Sequence, residues 1–158
     1  MKRLLPSFFN LFLIVALGLG MGGCVSTRLP FATTSPWESV DLDTEANPLD
    51  ISFVTPEHGF LVGTNRLLLE TDDGGAHWKN LGLDLPAEEN FRLISIDFKG
   101  DEGWIAGQPG LVMHSSDAGE TWTRLGLGTQ LPGDPYLITS QGPEMAELAT
   151  TAGAVYRT

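Results

Sequence analysis

The residues best suited to chemistry are two carboxylates, Asp73 and Asp117, each flanked by a hydroxyl residue and a tryptophan. A carboxylate can serve in acid–base catalysis, but it can also accept backbone N–H groups and hold a tight turn. The segments 71–78 and 115–122 match at hydroxyl, Asp, Gly and Trp positions and begin 44 residues apart. This in-phase repetition predicts structural turns, with no catalytic residue. The eight defining positions are Thr71, Asp73, Gly75, Trp78, Ser115, Asp117, Gly119 and Trp122.

The same period of 44 residues continues outside the turns, for example from Gly59-Phe60 to Gly103-Trp104. A repeat of this length is typical of the four-stranded blade of a β-propeller. An ordinary β-sandwich is the alternative, and the repeat argues against it. The predicted strands are Asp50–Val54, Gly59–Gly63, Leu67–Thr71 and His77–Leu81 in the first copy, and Leu93–Phe98, Gly103–Gly107, Leu111–Ser115 and Thr121–Leu125 in the second.

The predicted fold is therefore all-β, an incomplete propeller of antiparallel blades. Two blades cover about 41–84 and 85–128, and part of a third covers 129–158, where Gly153–Thr158 resembles Gly110–Ser115. Residues 37–40 resemble an outermost strand that would complete the last blade of a ring. Because about two and a half blades are fewer than a closed propeller needs, we expect the chain to be part of a longer protein or a truncated gene product.

The N-terminal region predicts a lipoprotein signal peptide over residues 1–23. Lys2 and Arg3 precede an apolar run that is shorter than a membrane-spanning helix requires. Gly22-Gly23-Cys24 then resembles a bacterial lipobox, which predicts lipid attachment at Cys24. A free thiol behind an ordinary signal peptide is the alternative. Residues 24–36, rich in Ser, Thr and Pro, are predicted to form a flexible tether.

Composition and motifs exclude several function classes. The formal net charge is −11 and becomes −13 without Lys2 and Arg3, which argues against nucleic acid as a partner. The three histidines show no metal-ligand spacing, and a single cysteine forms no zinc cluster. Phosphate-binding and nucleophile-elbow motifs are absent from the sequence. We therefore expect no catalytic residue, no metal and no cofactor.

The two repeated turns resemble the Asp-box, or BNR repeat, of sialidases and related β-propellers. Sialidases use a tyrosine nucleophile and a group of arginines. The tyrosines of this chain are Tyr136 and Tyr156, and the arginines after the signal peptide are spread over the repeats: Arg28, Arg66, Arg92, Arg124 and Arg157. A truncated glycoside hydrolase of the sialidase type therefore stays open as an alternative without positive support.

Further segments resemble the photosystem II stability and assembly factors of cyanobacteria and chloroplasts. They are Trp37–Val40, Ile51–Val54, His58–Gly63, Leu69–Gly75, Trp104–Gly110 and Ala146–Thr158, together with the lipobox. The resemblance implies a seven-bladed propeller on the lumenal side of the thylakoid membrane. It also implies a non-enzymatic role, in which the protein binds the newly made D1 reaction-centre subunit, or its precursor, during early photosystem II assembly.

We accordingly expect a photosystem II assembly factor anchored to the lipid bilayer through Cys24. The partners would be D1, its precursor and early assembly intermediates. A generic extracytoplasmic protein-binding propeller is a further alternative. The sequence does not identify the contact residues. Arg92 and Arg124 are candidates only because arginine is common at interfaces, and a solvated surface role is the alternative for each.

Overall fold

The computed structural model describes residues 34–127 and 131–158. The chain divides into two units, Met1–Glu38 and Ser39–Thr158. The predicted signal peptide, Cys24 and most of the predicted tether lie outside the described residues. Among the residues that are described, no helix has the length and apolar character needed to cross a membrane.

The second unit contains three antiparallel sheets, each formed by consecutive strands. The first sheet has four strands: β1 (Pro48–Phe53), β2 (Gly59–Gly63), β3 (Leu68–Thr71) and β4 (Lys79–Asn80). The second has four: β5 (Arg92–Lys99), β6 (Glu102–Gln108), β7 (Leu111–Ser115) and β8 (Thr123–Leu125). The third has three: β9 (Pro135–Gly142), β10 (Met145–Thr150) and β11 (Val155–Arg157). A short 3₁₀ turn, Ala87–Glu89, lies between the first two sheets in sequence.

These sheets confirm the predicted all-β fold of repeated antiparallel blades. The strand register repeats as well, because Phe60 pairs with Glu70 in the first sheet and Trp104 pairs with His114 in the second. Each of these pairs is related to the other by the sequence period of 44 residues. Residues that are equivalent in the sequence repeat therefore occupy equivalent positions in the strand pairing of the two blades.

The fourth strand in each of the first two blades is shorter than predicted. We expected strands from His77 and Thr121, but pairing begins at Lys79 and Thr123. The reason is local: the backbone N–H groups of His77 and Thr121 donate to aspartate side chains of the preceding turn. Residues 37–40 form no strand in the structure, so their completion of a last blade stays a prediction.

The core lies between neighbouring sheets. On β2, Phe60 and Val62 face the second sheet, while Leu61 packs on the opposite face. On β6, Ile105 faces the first sheet, while Trp104 packs with residues of the third. Because both faces of these central strands are buried, their sequences are continuous apolar runs and do not alternate between apolar and polar residues.

Polar side chains also connect the sheets at their first strands. Asp50 of β1 accepts a hydrogen bond from the backbone N–H of Ile96 on β5, at 2.9 Å. Asp97 of β5 in turn accepts one from the N–H of Ser140 on β9, at 2.7 Å. These carboxylates satisfy backbone donors that the sheet ladders leave free. The first strands of the three blades are therefore held side by side.

Asp-box turns, paired histidines and the inner-strand surface

The second Asp-box turn is a closed set of hydrogen bonds around Asp117. Its Oδ1 accepts from the hydroxyl of Ser115 at 2.7 Å and from the backbone N–H of Thr121 at 2.9 Å. Its Oδ2 accepts from the hydroxyl of Thr121 at 2.5 Å. The hydroxyl of Ser115 also accepts from the N–H of Gly119 at 2.9 Å. Both carboxylate oxygens are thus engaged within the turn.

The first Asp-box repeats this arrangement with His77 in place of Thr121. Asp73 Oδ1 accepts from the hydroxyl of Thr71 and from the N–H of His77, each at 2.9 Å. Its Oδ2 lies 2.6 Å from Nδ1 of His77. The N–H of Gly75 donates to the hydroxyl of Thr71 at 2.9 Å. The turn therefore needs a side-chain donor at the position of His77 and Thr121, and either a histidine or a threonine can supply it.

Hydrogen bonds lower the pKa of both box carboxyls. The backbone N–H of His77 is the largest cause for Asp73, followed by the His77 ring and the Thr71 hydroxyl, and the pKa falls to about 2. The Thr121 hydroxyl is the largest cause for Asp117, whose pKa is also below its usual value. These groups are ionised acceptors at neutral pH, which does not suit a general acid.

Each turn also docks on the first hairpin of its own blade. The N–H of Gly74 donates to the carbonyl of Glu57 at 2.8 Å, and the N–H of Ala118 donates to that of Asp101 at 2.9 Å. The turn therefore joins the third and fourth strands to the loop between the first and second. This arrangement fits a structural role for the box.

The two box tryptophans lie in different surroundings. The indole N–H of Trp78 donates to the carbonyl of Gly75 at 3.0 Å, so the ring covers its own turn. Trp122 instead packs edge-on against Phe60 and Phe98, with ring centroids 6.2 Å and 5.8 Å away. The second Asp-box therefore contributes to the core between the first and second sheets.

Replacement of Asp117 by alanine should lower the free energy of unfolding by about 1–3 kcal/mol, because several donors lose their acceptor together. Chemical denaturation followed by tryptophan fluorescence measures this. Asp101→Ala is the control, since this exposed residue contributes its backbone carbonyl to the docking bond. Loss of partner binding at unchanged stability would contradict a structural role for Asp117.

The hydrogen bonds that lower the pKa of Asp73 and Asp117 also predict that the folded protein loses stability in acid. A folded-state pKa below the unfolded value gives stabilisation that is present above the unfolded pKa and is lost as the pH falls through the folded pKa. For Asp73 the window runs from the ordinary value of 3.8 down to about 2.

Two histidine–carboxylate contacts repeat in the first two blades, and sequence reasoning missed both: one connects the residue before β2 with β3, and the other connects β6 with β7. His58 Nε2 lies 3.1 Å from Glu70 Oε1, and His114 Nε2 lies 2.6 Å from Glu102 Oε2. Hydrogen bonding to His114 is the largest cause of a lowered pKa at Glu102. The available signal was the period itself, because His58 corresponds to Glu102 and Glu70 corresponds to His114, with the two partners exchanged.

The first strands of the three sheets form an exposed surface, which we call the inner-strand surface. It surrounds an open groove of about 580 Å³, which is lined by Arg92, by four apolar or aromatic side chains (Leu49, Ile94, Tyr136 and Leu137) and by the polar residues Asp50, Ser95, Gln108 and Thr151. Tyr136 is 60% exposed. Apolar and aromatic side chains beside one arginine are a composition common at the centre of protein interfaces. This surface is therefore the candidate partner-binding site.

The structure separates the two candidate arginines. Arg92 lies on the inner-strand surface, whereas the guanidinium of Arg124 lies 5.0 Å from the centroid of the Phe91 ring and 3.7 Å from Glu89. Arg66 donates to the carbonyl of Leu85, and Arg157 pairs with Glu147. Among the described residues, the arginines are thus dispersed and form no group around either tyrosine.

Comparisons with known proteins agree with this architecture. The family model of the photosynthesis system II assembly factor YCF48 matches residues 29–158. The photosystem II assembly lipoprotein Ycf48 of Synechococcus sp. (strain CC9902) is 67% identical over 158 residues, which are 100% of this chain and 47% of that protein. The protein of the same name from Prochlorococcus marinus (strain MIT 9313) is 66% identical, with the same shares covered. The chain therefore spans about half the length of these curated relatives.

Solved structures give the same result. One, titled YCF48 bound to D1 peptide, aligns with a TM-score of 0.77 at 43% identity, over 83% of this chain and 44% of that one. YCF48 from Cyanidioschyzon merolae aligns with a TM-score of 0.69 at 42% identity, over 77% and 37% of the two chains. The predicted resemblance and the propeller fold are confirmed, and the chain belongs to the photosystem II assembly factor YCF48 family.

Proposed function

We propose that this chain belongs to a factor that assembles photosystem II by binding the D1 subunit or its precursor. One observation carries the proposal: at 43% identity, the chain aligns with a solved structure whose title is YCF48 bound to D1 peptide. The curated relatives from Synechococcus and Prochlorococcus are named assembly lipoproteins. The inner-strand surface is the proposed docking site, with Arg92 available to a carboxylate or carbonyl of the peptide.

The proposed role is non-enzymatic. The Asp-box carboxylates are engaged by donors within their own turns, which leaves them little capacity to act on a substrate. Tyr156 is half-buried in β11 beside the Arg157–Glu147 pair, while Tyr136 lies on the inner-strand surface. Neither tyrosine has the surrounding arginine group that a sialidase requires. A reporter assay with a sialic-acid substrate distinguishes the two functions.

We also propose the domain organisation and location that the N-terminal sequence predicts. Residues 1–23 would be removed as a signal peptide, Cys24 would carry lipid, and residues 24–36 would connect the lipid to the propeller. The protein would then be held on the lumenal side of the thylakoid membrane. Its acidic character supports an anchor of this kind, because broad electrostatic attraction to an anionic bilayer is unfavourable.

The test is binding of overlapping synthetic peptides that together cover D1. We expect one peptide to bind, and we expect Arg92→Ala to weaken its affinity by at least about five-fold, the loss typical of an interface residue that matters. Arg124→Ala is the matched control, because this arginine lies against Phe91 and Glu89 and not on the inner-strand surface. Fluorescence anisotropy measures both affinities.

The outcomes separate the two parts of the proposal. Binding that is lost in Arg124→Ala but retained in Arg92→Ala would place the peptide elsewhere on the chain. Failure of every peptide, together with no recovery of reaction-centre subunits from detergent-solubilised thylakoids, would contradict D1 binding by this chain. Cleavage of a sialic-acid reporter without such recovery would favour the hydrolase.

A further inference from the structure

Three potential metal ligands converge at one end of the first blade. They are the Nε2 atom of His58, a carboxylate oxygen of Glu70 and a carboxylate oxygen of Asp72, and all lie within 4.8 Å of one another. His58 Nε2 is 3.1 Å from Glu70 and 4.0 Å from Asp72. One imidazole nitrogen and two carboxylate oxygens form a donor set that a first-row divalent transition metal accepts.

Strand pairing brings these residues together although they are distant in sequence. His58 immediately precedes β2, Glu70 lies on β3 opposite Phe60, and Asp72 follows β3 at the start of the Asp-box. The backbone N–H of His58 donates to the Thr55 hydroxyl at 3.0 Å. The His58 ring packs edge-on against Phe60, with centroids 4.9 Å apart. The imidazole is therefore held in place by the hairpin and by the core.

The exposure of the three side chains suits capture of an ion from solvent. His58 and Glu70 are 23% and 18% exposed, so both are oriented by packing, while Asp72 is 84% exposed. Asp73, next in sequence, is already committed to the Asp-box turn. Lys79 pairs with Glu70 across the sheet and is the neighbouring positive charge. With a neutral imidazole the three ligands carry two negative charges, which exceed that single positive charge.

We propose that His58, Glu70 and Asp72 bind one divalent transition-metal ion, for which Zn²⁺ is the suitable probe. Bonds of about 2.0–2.2 Å to a tetrahedral zinc place its ligand atoms roughly 3.4 Å apart. The His58–Glu70 distance of 3.1 Å is already close to this value. A rotation of the exposed Asp72 side chain would bring its carboxylate oxygen, now 4.0 Å from His58 Nε2, to a similar distance. Water completes the coordination. Magnesium and calcium, which prefer oxygen ligands, bind this set more weakly.

The second blade contains an internal control. His114 and Glu102 repeat the histidine–carboxylate pair, but Ser116 stands at the position of Asp72. Glu102 Oε2 also accepts from the backbone N–H of Glu144 at 3.1 Å, which occupies part of its capacity. The second blade therefore has two of the three ligands, and the proposed site is specific to the first blade.

The experiment is isothermal titration of Zn²⁺ into the full chain in detergent, after chelator treatment. All proteins carry Cys24→Ser, so that the thiol contributes no ligand. We expect one saturable site per chain, with affinity reduced at least about ten-fold in Asp72→Ser and in His58→Gln. Asp72→Ser reproduces the residue that the second blade carries in the same motif, so its fold should be retained. Calcium and magnesium should compete poorly.

A control and a gain-of-function variant sharpen the result. His77→Thr removes an exposed histidine that lines a groove together with Glu70 and Asp72 but is not one of the three proposed ligands. It introduces the residue of the second Asp-box and should leave zinc affinity unchanged. Ser116→Asp should add a second, weaker site beside His114. Affinity that is unchanged in both Asp72→Ser and His58→Gln would overturn the proposal. So would the absence of saturable binding, or equal binding of zinc, calcium and magnesium, which would indicate an acidic surface only.

Discussion

Alanine at Gly119 is expected to destabilise the protein by about 2–5 kcal/mol, more than alanine at the corresponding Gly75. Both glycines have a positive φ, +92° and +91°, so each substitution carries a similar backbone cost of about 1–2 kcal/mol. A Cβ at Gly119 would in addition overlap the ring of Phe60, which is fully buried. Overpacking of a core typically adds about 1–3 kcal/mol.

The comparison isolates packing between the two blades. A Cβ at Gly75 would lie 3.4 Å from the Trp78 ring, close to ordinary contact, and its nearest neighbours are side-chain atoms of its own turn. Urea denaturation of the two variants, followed by tryptophan fluorescence and circular dichroism, measures the difference in the free energy of unfolding. Equal losses in the two variants would show that the Asp-box of the second blade does not support the contact with the first.

Serine at position 24 is expected to move the mature protein almost completely from the membrane fraction to the soluble fraction. Several acyl chains, each stabilised by about 0.8 kcal/mol per buried CH₂, anchor a lipoprotein firmly, and Cys24 is the only cysteine available for attachment. Cell fractionation and intact-mass measurement in a host that processes lipoproteins test this. The mass should lose the lipid, and because lipoprotein processing at Cys24 stops, an ordinary signal peptidase must remove the signal peptide for the soluble form to appear.

The matched control is Ser26→Ala, two residues beyond the cysteine and outside the predicted lipobox. It should stay in the membrane fraction with its lipid. If Cys24→Ser instead leaves both the membrane fraction and the mass unchanged, the anchor is not at this residue. Such a result would leave the D1-binding proposal intact, because that proposal depends on the propeller and not on its attachment.

Local chemistry made much of the fold predictable. An Asp-box turn consists of a hydroxyl, a carboxylate and a glycine within a few residues, so its hydrogen bonds form between neighbours in sequence, as at Ser115, Asp117 and Gly119. The strands on either side carry apolar runs whose repetition every 44 residues indicates blades. The predicted first residues of β4 and β8, His77 and Thr121, lie two residues before the observed starts, because the hydrogen bonds of the Asp-box turn occupy their backbone N–H groups.

The sequence by itself determined the repeat, the turns and the family resemblance. The turns and motifs depend on residues close together in the chain, and the repeat is visible by comparing positions 44 residues apart. Only the tertiary structure decided which distant side chains meet. The contact of Trp122 with Phe60 and the alignment of Arg92 with Tyr136 along neighbouring first strands both depend on how one blade stacks on the next. The approach of His58 to Glu70 depends on strand register. A period in the sequence specifies equivalent positions in successive blades, but the packing of apolar faces sets the distances between them.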